Sequence, residues 1–155
     1  MKMISIFLKN KSLINLSNEH VSMFNIEKGE TIEKGDFVVV NTKTLLARKP
    51  IAKSGYFAVG VAERIIDQAS GNQAVICVDG YHMIYNPDKS ISENDIGRDC
   101  YFSAEDAVTL SNINMTKAGT IEAIEVSDDP IDIADGADRI VWVKCNIIEG
   151  SDLEC

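Results

Sequence analysis

The side chains best able to do chemistry are few and scattered. Two histidines, His20 and His82, and four cysteines, Cys77, Cys100, Cys145 and Cys155, are the candidate ligands or nucleophiles. Structural zinc sites draw on closely spaced ligand pairs, and this chain has no CxxC pair and two histidines far apart. No metal site is expected. Cys77, Cys100 and Cys145 fall in β-type runs, where a free thiol packs as a small apolar group, and free thiols suit a reducing compartment. Between Ser127 and Asp138 stand Asp128, Asp129, Asp132, Asp135 and Asp138. An EF-hand needs oxygens at loop positions 1, 3 and 5 with glycine at 6, an order this stretch lacks, so it reads as a solvated acidic loop. GxxxxGK[ST], GxSxG and HExxH are all missing, so the chain carries no P-loop, nucleophile elbow or zincin signature. In Tyr81-His82-Met83-Ile84-Tyr85, alternation puts the tyrosines and Met83 on one face and His82 with Ile84 on the other. His82 is read as a surface or hydrogen-bonded strand residue. No catalytic residue and no cofactor is expected.

One enzyme motif has a partial match. Gly97-Arg98-Asp99-Cys100-Tyr101-Phe102-Ser103-Ala104-Glu105-Asp106 resembles the first motif of trimeric dUTPases. That resemblance implies a nucleotide hydrolase on a trimeric β fold, the alternative reading of the chain. The Arg-Ser-Ser, Gly-x-Ile-Asp and glycine-rich C-terminal motifs of that family are absent here.

The elements that must position these residues are strands, and they come twice. Lys34-Gly35-Asp36-Phe37-Val38-Val39-Val40 leads to Leu45-Leu46, Gly60-Val61-Ala62 and Ala74-Val75-Ile76-Cys77-Val78. Gly97-Arg98-Asp99-Cys100-Tyr101-Phe102 leads to Val108-Thr109-Leu110, Gly119-Thr120-Ile121 and Arg139-Ile140-Val141-Trp142-Val143. Asp36 to Asp99 and Leu45 to Val108 are both offsets of 63, and Gly60 to Gly119 is one of 59. Strands are predicted over 37–41, 57–66, 74–78, 81–85, 100–103, 119–126 and 139–147, from runs of Val, Ile, Phe and Tyr bounded by turn residues. Asp79-Gly80 is predicted to close a two-residue hairpin, because the turn needs the positive φ that Gly and Asp tolerate. Ser103–Ala107 has the composition for a single helical turn. The expected fold is all-β: a small barrel or sandwich of two similar halves, 30–85 and 95–146, with little helix. Residues 1–29 form an N-terminal arm or a first strand, 30–147 the β domain, and 148–155 a flexible tail.

Composition narrows the partners. A net charge of −9 opposes nucleic-acid binding, which needs clustered Lys and Arg to displace phosphate counterions. The charge is uneven: Lys2, Lys9 and Lys11 give the first 18 residues +3 and leave −12 for the rest. The opening run Met1–Leu8 stops at Lys9-Asn10-Lys11, too early for a signal-peptide core. No stretch approaches the roughly 20 apolar residues of a membrane span, so a chain made in the cytoplasm with no membrane partner is expected.

The order of these motifs resembles the small capsid decoration, or cement, proteins of tailed bacteriophages and prophages. The likeness covers about 30–146: a GD turn into a strand, Gly-Val-Ala, then Val-x-Val-x-Gly, repeated in the second half. It implies a non-enzymatic virion protein that binds the major capsid protein on an expanded lattice, typically as a homotrimer. The chain departs from it in having Gly119-Thr120-Ile121 as the second Gly-Val-Ala, and in a longer N-terminal segment. That segment supplies the expected capsid contacts: apolar Ile4, Ile6, Phe7 and Leu8, rimmed by Lys9 and Lys11.

Overall fold

The computed structural model describes residues 4–8, 21–135 and 137–145. Among these residues eleven strands follow one another: β1 (Ile4–Leu8), β2 (Val21–Asn25), β3 (Phe37–Asn41), β4 (Ala47–Arg48), β5 (Tyr56–Asp67), β6 (Gln73–Val78), β7 (Gly80–Tyr85), β8 (Asp99–Ala104), β9 (Ala107–Thr109), β10 (Lys117–Ser127) and β11 (Arg139–Cys145). Of the described residues 52% are strand and 6% helix, far below the third or so of helix in an ordinary globular chain. The protein is all-β, as expected. Among the described residues no helix is long and apolar enough to cross a membrane.

The strands form two sheets, and each closes on itself. The first runs β2-β6-β5-β3-β4, and a parallel bridge between Ile26 and Ala47 joins its ends. The second runs β10-β11-β7-β9-β8, and β8 returns to pair with β10. Both are therefore small five-stranded barrels with the same strand order, β2–β6 matching β7–β11 in sequence. Closure removes most of the raw edge that a small sheet would otherwise expose.

This corrects the expected halves. The first barrel starts at Val21, inside the segment read as arm or first strand, because β2 pairs with β6 along its whole length. β7 falls in the expected first half, 30–85, yet it pairs with β11 and β9 in the second barrel. The Asp79-Gly80 hairpin does not form. Gly80 has the positive φ, +99°, but β6 already has β5 and β2 on its two edges. β7 has no edge to join there, and the chain crosses to the other barrel.

Register also moves two of the sequence equivalences. Gly35 N–H donates to Ala62 O, and Gly97 N–H donates to Ile121 O, so the glycines match. Asp36 then corresponds to Arg98 rather than to Asp99. Val40 pairs with Ala47 and Phe102 with Val108, so Ala47, not Leu45, is the partner of Val108. Leu45 sits in the preceding turn with φ +60°.

Two smaller readings change as well. Pro130–Ala134 is a short helix, α1, inside the stretch read as loop. Pro sits at its start, and the Asp129 side chain accepts a hydrogen bond from Ile131 N–H at 2.9 Å, a standard N-terminal arrangement. Ser103–Ala107 is not helical: Glu105 and Asp106 form the tight turn between β8 and β9.

Burial follows from the two closures. The first core gathers Ile26, Ile32, Val38, Val40, Ala47, Phe57, Val59, Ala62, Val75 and Cys77. The second gathers Ile84, Ile91, Cys100, Phe102, Val108, Ile121, Ile124, Val141 and Val143, together with Phe37 and Val39 of the first sheet. β3 thus serves both cores, Val38 and Val40 on one face and Phe37 and Val39 on the other. That is why FVVV shows no alternation of exposure. Phe37 meets Phe102 edge-on, ring centres 5.7 Å apart. Thr116 Oγ1 donates to Lys53 O at 2.6 Å across the same seam.

The link from β7 to β8 is held by polar groups. Buried Asn86 donates through Nδ2 to Val108 O and Asp88 Oδ1, both at 2.8 Å, and accepts from Ile91 N–H at 3.0 Å. Asp88 also accepts from Thr109 Oγ1 at 2.6 Å and from Ser90 Oγ at 2.8 Å. The matching link in the first barrel uses charge instead: Glu30 accepts from Lys49 N–H at 2.9 Å and lies 3.9 Å from the Arg48 guanidinium.

Burial works to raise the Asp88 carboxyl, and the bonds from Thr109, Ser90 and Asn86 outweigh it, holding the group below its ordinary value of 3.8. Asp95 is held low chiefly by Ser92 N–H, with Arg98 assisting. A carboxyl lowered by folding contributes stability above its unfolded value, and loses it as pH falls through the folded one. Thermal stability is therefore expected to drop as pH falls below about 3.8, with a shallower acid limb in Asp88→Asn.

Candidate docking surface

The six residues named as capsid contacts fall in two groups. Ile4, Ile6, Phe7 and Leu8 belong to β1, which lies antiparallel to β10 with Ile4 opposite Ser127 and Leu8 opposite Ala123. Lys9 and Lys11 lie outside the described residues. β1 extends the second barrel beyond β8 along the same side of β10.

His82 is engaged in structure. Its Nε2 lies 2.9 Å from Val78 O and 3.0 Å from Asp79 O. Two carbonyls can only accept, so this nitrogen carries the proton. Its ring meets Phe37 edge-on at 6.1 Å, which pins the crossing between barrels. His20 lies outside the described residues. Burial pushes Cys77 and Cys145 up to about 12 and raises Cys100 as well. A thiol that resists ionisation is a poor nucleophile.

The acidic stretch is engaged too. Ser127 Oγ donates to Asp132 Oδ2 at 2.6 Å, and Lys89 Nζ lies 3.0 Å from Asp138. Among the described residues no three His, Cys, Asp or Glu side chains gather as ligands. Asp99, from the dUTPase-like motif, is exposed on the barrel wall 3.2 Å from Lys117. Glu105 and Asp106 of the same motif line a cleft of about 320 Å³ with Asp36, Phe37, Lys49 and Tyr85. Lys49 Nζ stands 3.6 Å from Glu105 and ties the two barrels together across it.

A different surface emerges from the barrel repeat. Met23 lies opposite Ile76 and Met83 opposite Trp142, at matching places in β2 and β7. Both methionines are half exposed, at 56% and 52%. Val21 extends the row on β2, and Tyr85 on β7. Beside Met83, Trp142 donates through Nε1 to Glu125 at 2.9 Å, and Lys144 Nζ stands 5.8 Å from the centre of the Tyr81 ring. Each barrel therefore turns one methionine-bearing strand to solvent. Alternation in 81–85 puts Met83 and Tyr85 on one face, and the structure shows that this face, not that of His82 and Ile84, is the exposed one. The first row has no such signal, because Val21-Ser22-Met23-Phe24-Asn25 breaks strict alternation at Met23-Phe24. Comparison of the chain with protein-family models, curated proteins and solved structures found no match.

Proposed function

We propose that this chain is a head decoration protein of a tailed phage or prophage. It is made in the bacterial cytoplasm and acts, without catalysis, by tying neighbouring major capsid protein subunits together on the virion. The observation that carries the reading is the pair of equivalent strands β2 and β7, each presenting a half-exposed methionine on one two-barrel body. A protein that bridges lattice neighbours needs two contact strips held at a fixed spacing. Linking two weak contacts rigidly makes the second effectively intramolecular, and methionine adapts to an irregular apolar partner. A binder that prefers the assembled lattice stabilises it by mass action, and a homotrimer multiplies the strips.

The test is co-sedimentation with expanded capsids of the phage or prophage that encodes the chain. Met23→Glu/Met83→Glu should stay folded and lose binding by about 100-fold, the loss of two apolar anchors. Deletion of residues 1–18 should also weaken binding if the N-terminal segment is a contact. A truncated protein that folds and binds at full strength removes Ile4–Lys11 from the contact surface.

The dUTPase-like reading has one observation in its favour, the cleft lined by Glu105 and Asp106. Nucleotide turnover that disappears in Asp99→Asn would establish that reading against ours.

A further inference from the structure

The two barrels differ at one edge. Along Ala123–Ser127, β10 has β11 on one side and β1 on the other. The corresponding stretch of β5 follows from register. Gly60 lies opposite Val38 as Gly119 lies opposite Cys100. Bulges interrupt pairing between Ala62 and Arg64, and between Ile121 and Ala123. Gln68 N–H donates to Asn72 O as Ser127 N–H donates to Asp138 O. Arg64–Gln68 therefore matches Ala123–Ser127.

On β5 that stretch has β6 on one side. Pairing with β3 ends at Val61, and among the described residues no strand lies beyond it. Glu63, Arg64 and Asp67 are exposed. Because Gln68 N–H points to the β6 hairpin, alternation turns the N–H and C=O of Ile65 and Asp67 outward. An open row of backbone donors and acceptors is a template for an added strand.

We propose that this β5 edge is a strand-acceptor site for an extended segment of the capsid subunit, running antiparallel to β5. The source of the segment rests on the decoration reading; the slot itself does not. Its chemistry is set by the occupant of the matching slot, Ile4-Ser5-Ile6-Phe7-Leu8: a five-residue run that is apolar but for Ser5. At the same register such a run spans Gln68 back to Arg64, and the next residue meets Glu63. Glu63 and Asp67 against Arg64 leave one net negative charge on this edge, so a basic flank is favoured. A second copy's β1 is not the occupant. Lending it to a neighbour would open the lender's own β10 edge, so no strand pairing would be gained.

The probe is a synthetic peptide of residues 2–11 added to the full chain, read by amide hydrogen exchange and by affinity. Proline is tolerated on an edge whose N–H faces solvent, so Asp67→Pro should fold while losing the outward donor. We expect the peptide to protect the Ile65 and Asp67 amides. Asp67→Pro should weaken peptide binding at β5 about tenfold or more, the loss of one edge bond plus a steric block, and reduce capsid binding in step. Exchange in the unmodified protein keeps the test independent of whether that variant folds. Protection confined to Ile124 and Val126 would overturn the proposal. So would Ile65 and Asp67 amides already protected without peptide, whether by this chain or by self-association at high concentration. If the peptide docks on β5 and the protein binds no capsid, the slot stands and the capsid subunit is removed as its source. If capsids bind Asp67→Pro at full strength and the peptide leaves β5 unprotected, the slot falls and the decoration reading survives.

Discussion

Gly60→Ala is expected to cost about 3–4 kcal/mol, combining left-handed backbone strain with overpacking. At this chain length that lowers the melting temperature by about 6–16 °C. Gly60 has φ +115°, and a Cβ built there falls on the Val78 carbonyl oxygen, a backbone atom that cannot swing aside. β5 would have to leave β6 at the point where the barrel turns its corner. Gly35→Ala is the control: its φ is +95° with nothing within 4 Å of an added Cβ. Only the conformational cost of about 1–2 kcal/mol remains there. Differential scanning calorimetry separates the two variants, and equal losses would show that contact with Val78 is not the cause. Gly119 carries the same device in the second barrel, its missing Cβ facing the Lys144 carbonyl and the Val143 side chain. The glycine that opens each Gly-Val-Ala unit is there so that two backbones can touch.

Phe37→Ala is expected to cost about 3–5 kcal/mol, the range for deleting a buried aromatic ring. Against a total of about 5–15 kcal/mol, that removes a large share of the stability. Phe37 is 6% exposed and touches Phe102 and His82, both in the other barrel. The cavity would open on the seam, so both barrels should melt together at a lower temperature. Phe102→Ala and the double variant complete a cycle. Coupling of about 0.5–1.5 kcal/mol is expected for an aromatic pair in contact. A split into two transitions, with only one of them shifted, would show that the barrels are independent units.

Much of the fold was readable wherever a strand is a run of branched and aromatic residues. Phe37–Asn41 was placed to the residue, and Tyr56–Asp67 and Gln73–Val78 to within one residue at each end. β2 and β4 give weak signals: Val21-Ser22-Met23-Phe24-Asn25 has no clean polar/apolar alternation and lies on a wall with no buried residue, and β4 has two residues. Pairing was less legible than strand location. Asp79-Gly80 has the composition of a hairpin turn, but pairing depends on which edges are free, and that is settled by residues far away. Aligning aspartates rather than glycines displaced the repeat by one position. What is shared there is the N–H of Gly35 and Gly97 donating into β5 and β10, not a carboxylate. Of the candidate surface, the alternation at 81–85 shows only that Met83 and Tyr85 share a face; which face is exposed depends on the packing of β7 against the core. The open edge of β5 could not be read at all, since it appears only when two barrels are compared strand by strand.

The double duty of β3 sets an order of events during synthesis. Phe37 and Val39 leave the ribosome early, but the groups that cover them include Phe102, Val141 and Val143, made as many as roughly 100 residues later. At translation rates of about 5–20 residues per second, that interval lasts on the order of 5–20 s. Once β6 has been made and the first sheet can close, the nascent first barrel displays these two apolar side chains until the second barrel covers them. The exposed half-made protein is a natural client for a ribosome-associated chaperone, and codon choices that slow the second half would lengthen its vulnerability to aggregation.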